Sequence, residues 1–131
     1  MDEAVRNLVR ERAGNRCEYC HLPQEAYDLT FHVEHVVASQ HRHDDDPSNL
    51  ALACDRCNLH KGTNLTSIDP QTGEVVPLFN PRTDVWEEHF ALVGAEIIGQ
   101  TPIGRATVRL LQMNSERRII LRKRLLAAGE M

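Results

Sequence analysis

Apolar side chains recur at helical spacing near the start of the chain, where Val5, Leu8 and Val9 are followed by Ala13 and Gly14. This pattern predicts an amphipathic helix from about Asp2 to Ala13, stopped by the glycine. Leu29 to Val37 alternates apolar and polar side chains over its first half, which predicts a half-buried strand. Ser39 to Ser48 is polar, holds three acids and Pro47, and predicts a surface loop leading into the short apolar run Asn49 to Ala53. Asn58 to Lys61 reads as the first turn of a helix that Gly62 soon ends.

The second half reads as a turn at Asp69 to Gly73 and a short strand at Glu74 to Phe79, whose Pro77 suits a sheet edge. Asp84 is placed to cap a helix containing Trp86, His89 and Phe90, and Ala95 to Gly99 reads as a further strand. Pro102 fits the first turn of a helix running through Val108, Leu111 and Met113. Ser115 starts a last helix that carries Ile119, Ile120, Leu125 and Leu126 and ends near Gly129. Glu116 in its first turn and Arg122 to Arg124 towards its end have the signs that the helix dipole favours.

The fold class expected from this order is α+β. A chain of 131 residues has the size of one domain, so residues 1–131 are read as one unit, with a core over 15–65 and an extension over 66–131. Hydrophobic residues at 41% and charged residues at 26% match a folded soluble protein and exclude wholesale disorder. The N-terminus has no apolar h-region, and no stretch is long enough to span a bilayer, so the expected location is cytoplasmic, with no membrane partner. Aromatic residues are only 5%, which leaves the polar middle of the chain in need of another support.

Cysteine spacing offers that support. Cys17 with Cys20 and Cys54 with Cys57 form two C-x-x-C pairs separated by the 33 residues from His21 to Ala53. Two such turns can complete the tetrahedral thiolate shell that zinc prefers, and the absence of a secretion signal favours metal over disulfides. A redox C-x-x-C would head a helix in a βαβ pattern, which neither pair does. Four thiolates leave no open coordination position, so this zinc is structural and the chemistry must come from other residues of the same region. His21 and His60 lie nearby but are not needed as ligands.

Between and after the pairs stand His32-Val33-Glu34-His35, then Asn49, then Asn58 followed by Lys61-Gly62. With the cysteines, these residues resemble the HNH endonucleases, in the zinc-knuckle subgroup whose last signature residue is Asn, over Cys17 to Gly62. The resemblance implies a ββα-metal module in which a hairpin and a short helix grip one divalent ion against the scissile phosphate. His35 is then the general base, Glu34 and Asn58 are ligands of a catalytic Mg²⁺ or Mn²⁺, and Asn49 fixes the segment that carries His35. The implied products carry 5′-phosphate and 3′-hydroxyl ends. The residue types suit these roles, since an imidazole titrates near working pH and oxygen donors suit a hard ion.

One detail resists this assignment. Neighbours in a regular strand point to opposite faces, so Glu34 and His35 need a strand end or a bulge to reach one phosphate. Strict alternation pairs Glu34 with His32 instead, which makes His32 the reserve ligand.

Net charge is −4, yet Arg105, Arg109, Arg117, Arg118, Arg122, Lys123 and Arg124 gather in the C-terminal stretch. Lys61, Arg105 and Arg109 are candidate phosphate contacts, and the arginine cluster a candidate DNA-gripping arm, against the plain alternative of solvated helix faces. His41, Arg42 and His43 in the acidic loop either touch phosphate or stand in solvent. The expected function is metal-dependent hydrolysis of DNA by a monomer or homodimer that needs no small organic cofactor. The alternative is a catalytically silent zinc module that binds nucleic acid.

Overall fold

A computed structural model describes residues Met1–Met131. The chain has a mixed α+β fold of short hairpins and helices divided into two compact units, one formed by Met1–Asn64 with Asn80–Thr83 and the other by Leu65–Phe79 with Asp84–Met131. No helix is long and apolar enough to cross a membrane.

In the first unit, α1 (Glu3–Arg12) starts where the Asp2 carboxylate accepts the Val5 amide at 2.9 Å, and it gives way to Gly14 and Asn15 in left-handed conformation. Arg12 fastens this helix to the neighbouring hairpin by donating to the carbonyls of Pro47 at 3.0 Å and Leu50 at 2.7 Å. Strands β1 (His32–His35) and β2 (Leu50–Ala53) pair antiparallel, with His35 opposite Leu50 and Glu34 opposite Ala51. All four residues of β2 are buried, as the apolar run requires. The strand expected over Leu29 to Val37 is shorter at its start because Gln24 occupies the backbone there. Its amide donates to Leu29 O at 2.8 Å and accepts from Phe31 N at 2.7 Å, contacts that a longer ladder would have made.

Helix α2 (Asp55–Lys61) begins one turn earlier than expected, because the Cys54 thiol caps it by accepting the Cys57 amide. Gly62 ends it at φ +53°, in the position foreseen.

In the second unit, β3 (Thr66–Ile68) and β4 (Val75–Pro77) form a hairpin across the expected turn. The helix expected after Asp84 is a single turn, α3 (Trp86–His89), after which Phe90 opens β5 (Phe90–Val93) and pairs with β6 (Glu96–Gly99). This hairpin turns at Gly94 with φ +60°, a local signal that the helical reading of Phe90 overrode. Helix α4 (Pro102–Leu110) is capped by Thr101, whose hydroxyl accepts from Gly104 N at 3.0 Å, and α5 (Glu116–Ala127) closes the chain. Gly104 is required by closeness: a Cβ there would lie 2.0 Å from His89 O.

Phe79, Phe90, Ile97, Ala106, Leu111, Met113 and Leu125 make the core of this unit, with Phe79 and Phe90 edge to face at 5.2 Å. Two arginines are buried with them. Arg122 donates to Ala95 O at 2.7 Å, Met113 O at 2.6 Å and Asn114 Oδ1 at 3.0 Å, and Arg118 donates to Leu111 O at 2.6 Å.

Candidate functional site

The residues with chemistry in the first unit fall into three linked groups. In the first, Cys17 and Cys20 stand on a tight turn closed by His21 N to Cys17 O at 2.9 Å, while Cys54 and Cys57 form the head of α2. All four cysteines are buried, none is in a disulfide, and their sulfurs lie within 4.8 Å of one another. Sulfurs about 2.3 Å from a tetrahedral zinc sit roughly 3.8 Å apart, and Cys20 and Cys54 are separated by 3.8 Å. Burial pushes the Cys17 and Cys57 thiols well above their ordinary range. A dry sulfur cluster of this size fits a structural Zn²⁺, whose charge would hold the sulfurs as thiolates.

The second group surrounds Glu34. Its side chain is buried, with Oε1 accepting the Tyr19 hydroxyl at 2.5 Å and Oε2 3.9 Å from the Lys61 ammonium. Tyr19 lies between the first two cysteines, so this bond ties the cluster to β1. Desolvation raises the Glu34 carboxyl from 4.5 to about 7, only partly opposed by Lys61 and Tyr19. Lys61 is 2% exposed and donates to Val36 O at 3.0 Å, with His35 O at 3.4 Å. The structure thus places Lys61 inside the module, spending its donors on the carbonyls that end β1, and not on a surface where a phosphate would meet it.

The third group surrounds His35, whose ring is half-buried at the end of β1, on the strand face opposite Glu34. Its Nε2 lies 2.6 Å from Asp45 Oδ1, and the other oxygen of Asp45 is 3.9 Å from His43 Nε2. Asn49 is buried and joins the two sides of this loop. Its Oδ1 accepts Val37 N at 2.9 Å, and its Nδ2 donates to Val37 O at 3.1 Å and Asp44 O at 2.9 Å.

Other expected residues are placed as follows. His32 is exposed at the start of β1, and Asn58 is half-buried on α2, three residues before Lys61 and therefore on the same side of that short helix. His41 Nε2 lies 3.0 Å from Thr63 O, and Arg42 lies 3.6 Å from Asp44. In the second unit Arg105 holds the buried Asp69 carboxylate with two bonds of 2.9 Å, so it is not a free phosphate contact, whereas Arg109 is exposed. Of the arginine cluster, Arg118 and Arg122 serve the core, and Arg117, Lys123 and Arg124 are exposed.

Sequence reasoning did not single out Tyr19 or Asp45. Tyr19 carried a weak signal, being the one aromatic side chain inside a knuckle. Asp45 carried none, since its reach to His35 depends on how the loop closes.

Comparison with known proteins agrees with this geometry. Residues 17–64 match the profile of the HNH endonuclease family, an interval that runs from Cys17 through the hairpin and α2 to Asn64. Among curated proteins the chain is a distant homologue of the Septu protein PtuB of Bacillus thuringiensis, 26% identical over 122 residues. That alignment covers 88% of this chain and 43% of the relative, so the chain spans less than half of the relative's length. No solved structure matches.

Proposed function

We propose that this chain is an HNH endonuclease that hydrolyses phosphodiester bonds in DNA, with His35 as the general base. The observation that carries the proposal is the clamp by Asn49, which pins both Val37 and Asp44 and so holds the imidazole at an accessible strand end. A neutral His35 can take a proton from water as the oxygen attacks phosphorus and the bond to the departing oxygen breaks. Asn49 preserves that geometry by satisfying backbone groups on either side of the loop.

Glu34 and Asn58 are the oxygen donors proposed for a catalytic Mg²⁺ or Mn²⁺. Their fit rests on the donor chemistry, since oxygen atoms suit a hard ion, and the ion would join Lys61, 3.9 Å away, as a counter-charge of the buried Glu34. Such an ion would supply Lewis-acid stabilisation of the phosphate and of the departing oxygen. Zinc at the four cysteines shapes the loop and does no chemistry. Exposed Arg109, Arg117, Lys123 and Arg124 are the residues left to meet a nucleic-acid backbone.

The test is nicking of supercoiled plasmid with Mg²⁺ or Mn²⁺ by the zinc-loaded wild type and by His35→Ala. The variant is expected to lose about 10²–10⁴ of the rate, the span of general-base catalysis, while keeping its zinc. Equal nicking by the two proteins overturns the assignment of the base. Failure of both to nick while DNA binding persists identifies the silent binder.

A further inference from the structure

We infer that Asp45 is a positioning residue for His35: its carboxylate accepts the ring Nε2–H, fixing one tautomer and aiming Nδ1 at the water to be activated. The inference rests on the reading of His35 as the base and adds a residue to it.

Three observations converge. First, the Nε2 to Oδ1 distance is 2.6 Å, just below the usual range of about 2.7–2.9 Å for charge-assisted bonds between nitrogen and a carboxylate. A carboxylate only accepts, so Nε2 must be the protonated nitrogen and the lone pair of the neutral ring lies on Nδ1. Second, Asp45 is delivered by construction. Asn49 Nδ2 holds the carbonyl of Asp44, the residue before it, and Asn49 Oδ1 holds the amide of Val37, two residues after His35. One buried amide therefore sets the separation of the two partners. Third, the next turn is fixed as well, because Asp46 N donates to Asp44 Oδ1 at 3.0 Å and Asp46 Oδ1 accepts Ser48 N at 2.9 Å. Asp44 and Asp46 thus each turn a carboxylate oxygen to the backbone of the loop, with Arg42 3.6 Å from the other oxygen of Asp44, and the central aspartate is the one turned to the ring.

The chemistry follows the logic of a histidine oriented by a carboxylate. Nδ1 takes a proton from water, the hydroxyl oxygen bonds to phosphorus, and the departing oxygen leaves with the electron pair of the broken P–O bond. Asp45 keeps the Nε2 proton in place throughout and stabilises the imidazolium that forms. Because Asp45 stands half in solvent, its effect should fall well below that of a buried partner.

The experiment compares the zinc-loaded wild type, Asp45→Ala, Asp45→Asn and His35→Ala in plasmid nicking and in NMR of the histidine rings. In Asp45→Ala, kcat is expected to fall about 10- to 100-fold with KM unchanged, the range seen when the hydrogen-bond partner of a metal-ligating histidine is removed. Asp45→Asn, whose amide oxygen can still accept Nε2–H, is expected to recover part of the loss. In the wild type the Nε2–H proton of His35 should appear as a protected, downfield resonance, and Asp45→Ala should lose it.

Wild-type kcat in Asp45→Ala, with His35→Ala inactive, would overturn the positioning role and leave the base in place. Faster nicking by Asp45→Ala would show that the carboxylate blocks the ring, and would also overturn it. Wild-type nicking by His35→Ala removes the base and the positioning role with it. Should none of the proteins nick, the ring resonance decides: its persistence in Asp45→Ala overturns the inference.

Discussion

The two units of this chain solve the same problem with different materials. The first buries four cysteines and a carboxyl with its hydrophobic residues and uses irregular loops for much of its length. The second buries Phe79, Phe90, Ile97, Leu111 and Met113 and satisfies the surrounding carbonyls with the guanidinium groups of Arg118 and Arg122. A hydrophobic core holds secondary structure together but gives little control over a loop. A metal cross-link holds loops directly, since its bonds are directional and join residues distant in sequence. The half that presents His35 at a strand end and Asp45 on a loop is the half with the cysteine cluster.

The most severe way to break this contrast is to remove the zinc. Structural zinc is worth about 10–16 kcal/mol in small zinc-finger peptides at neutral pH, more than the whole stability of a typical domain. Chelation, or Cys57→Ser, is expected to unfold the first unit while the second remains folded. Trp86, the chain's one tryptophan, sits in the second unit with its ring 5.1 Å from Phe90, so its emission reports that unit alone. Loss of amide protection over residues 1–64 with unchanged Trp86 emission is the expected result. Full protection of that segment without metal would show that the cysteines merely pack.

The converse test strikes the second unit. Arg122→Met replaces a buried guanidinium by an apolar side chain and leaves Ala95 O, Met113 O and Asn114 Oδ1 without that donor. Each abandoned buried acceptor costs about 1–3 kcal/mol, so a loss of roughly 2–4 kcal/mol overall is expected, allowing for relaxation. Urea unfolding followed by Trp86 should shift to lower midpoint, with zinc stoichiometry unchanged. An unshifted midpoint would mean that the hydrophobic core suffices without the arginine.

What the sequence disclosed follows the same division. Cys17, Cys20, Cys54 and Cys57 were legible because a metal site is written in spacing, and both ends of α1, the glycine end of α2 and the proline start of α4 because caps and glycines are local. Strand β6 was legible over Ala95 to Gly99, but its partner β5 was hidden because Trp86, His89 and Phe90 suit a helical stripe as well, and only pairing with β6 decides for a strand at Phe90. Arg118 and Arg122 were read as a basic face because a charge pattern does not say which cations find carbonyls inside the fold. Lys61 was misplaced for the same reason. At the site, the identities of His35 and Asn49 were legible, but their connection through Asp44 and Asp45 was not, since it depends on the closure of a ten-residue polar loop whose pattern says only that it is exposed.

The smallest effect separates the units by acid. In the second unit Asp69 is held well below the usual carboxylate range, first by the bidentate Arg105 and then by the Gln71 amide and the Thr72 hydroxyl. Its folded pKa is depressed, so the unfolded chain takes up the proton first. The stability it contributes is present above the ordinary aspartate pKa of about 3.9 and is lost as pH falls below that value. Arg105→Gln removes the largest cause of the depression and should flatten this acid limb, with little change in its slope near neutrality. Acid also strips zinc from thiolates, so a global probe would mix the two units, whereas Trp86 emission follows the second. Equal acid slopes for wild type and Arg105→Gln, read by Trp86 between pH 2 and pH 5, would show that the pair orders the β3–β4 turn without stabilising the unit.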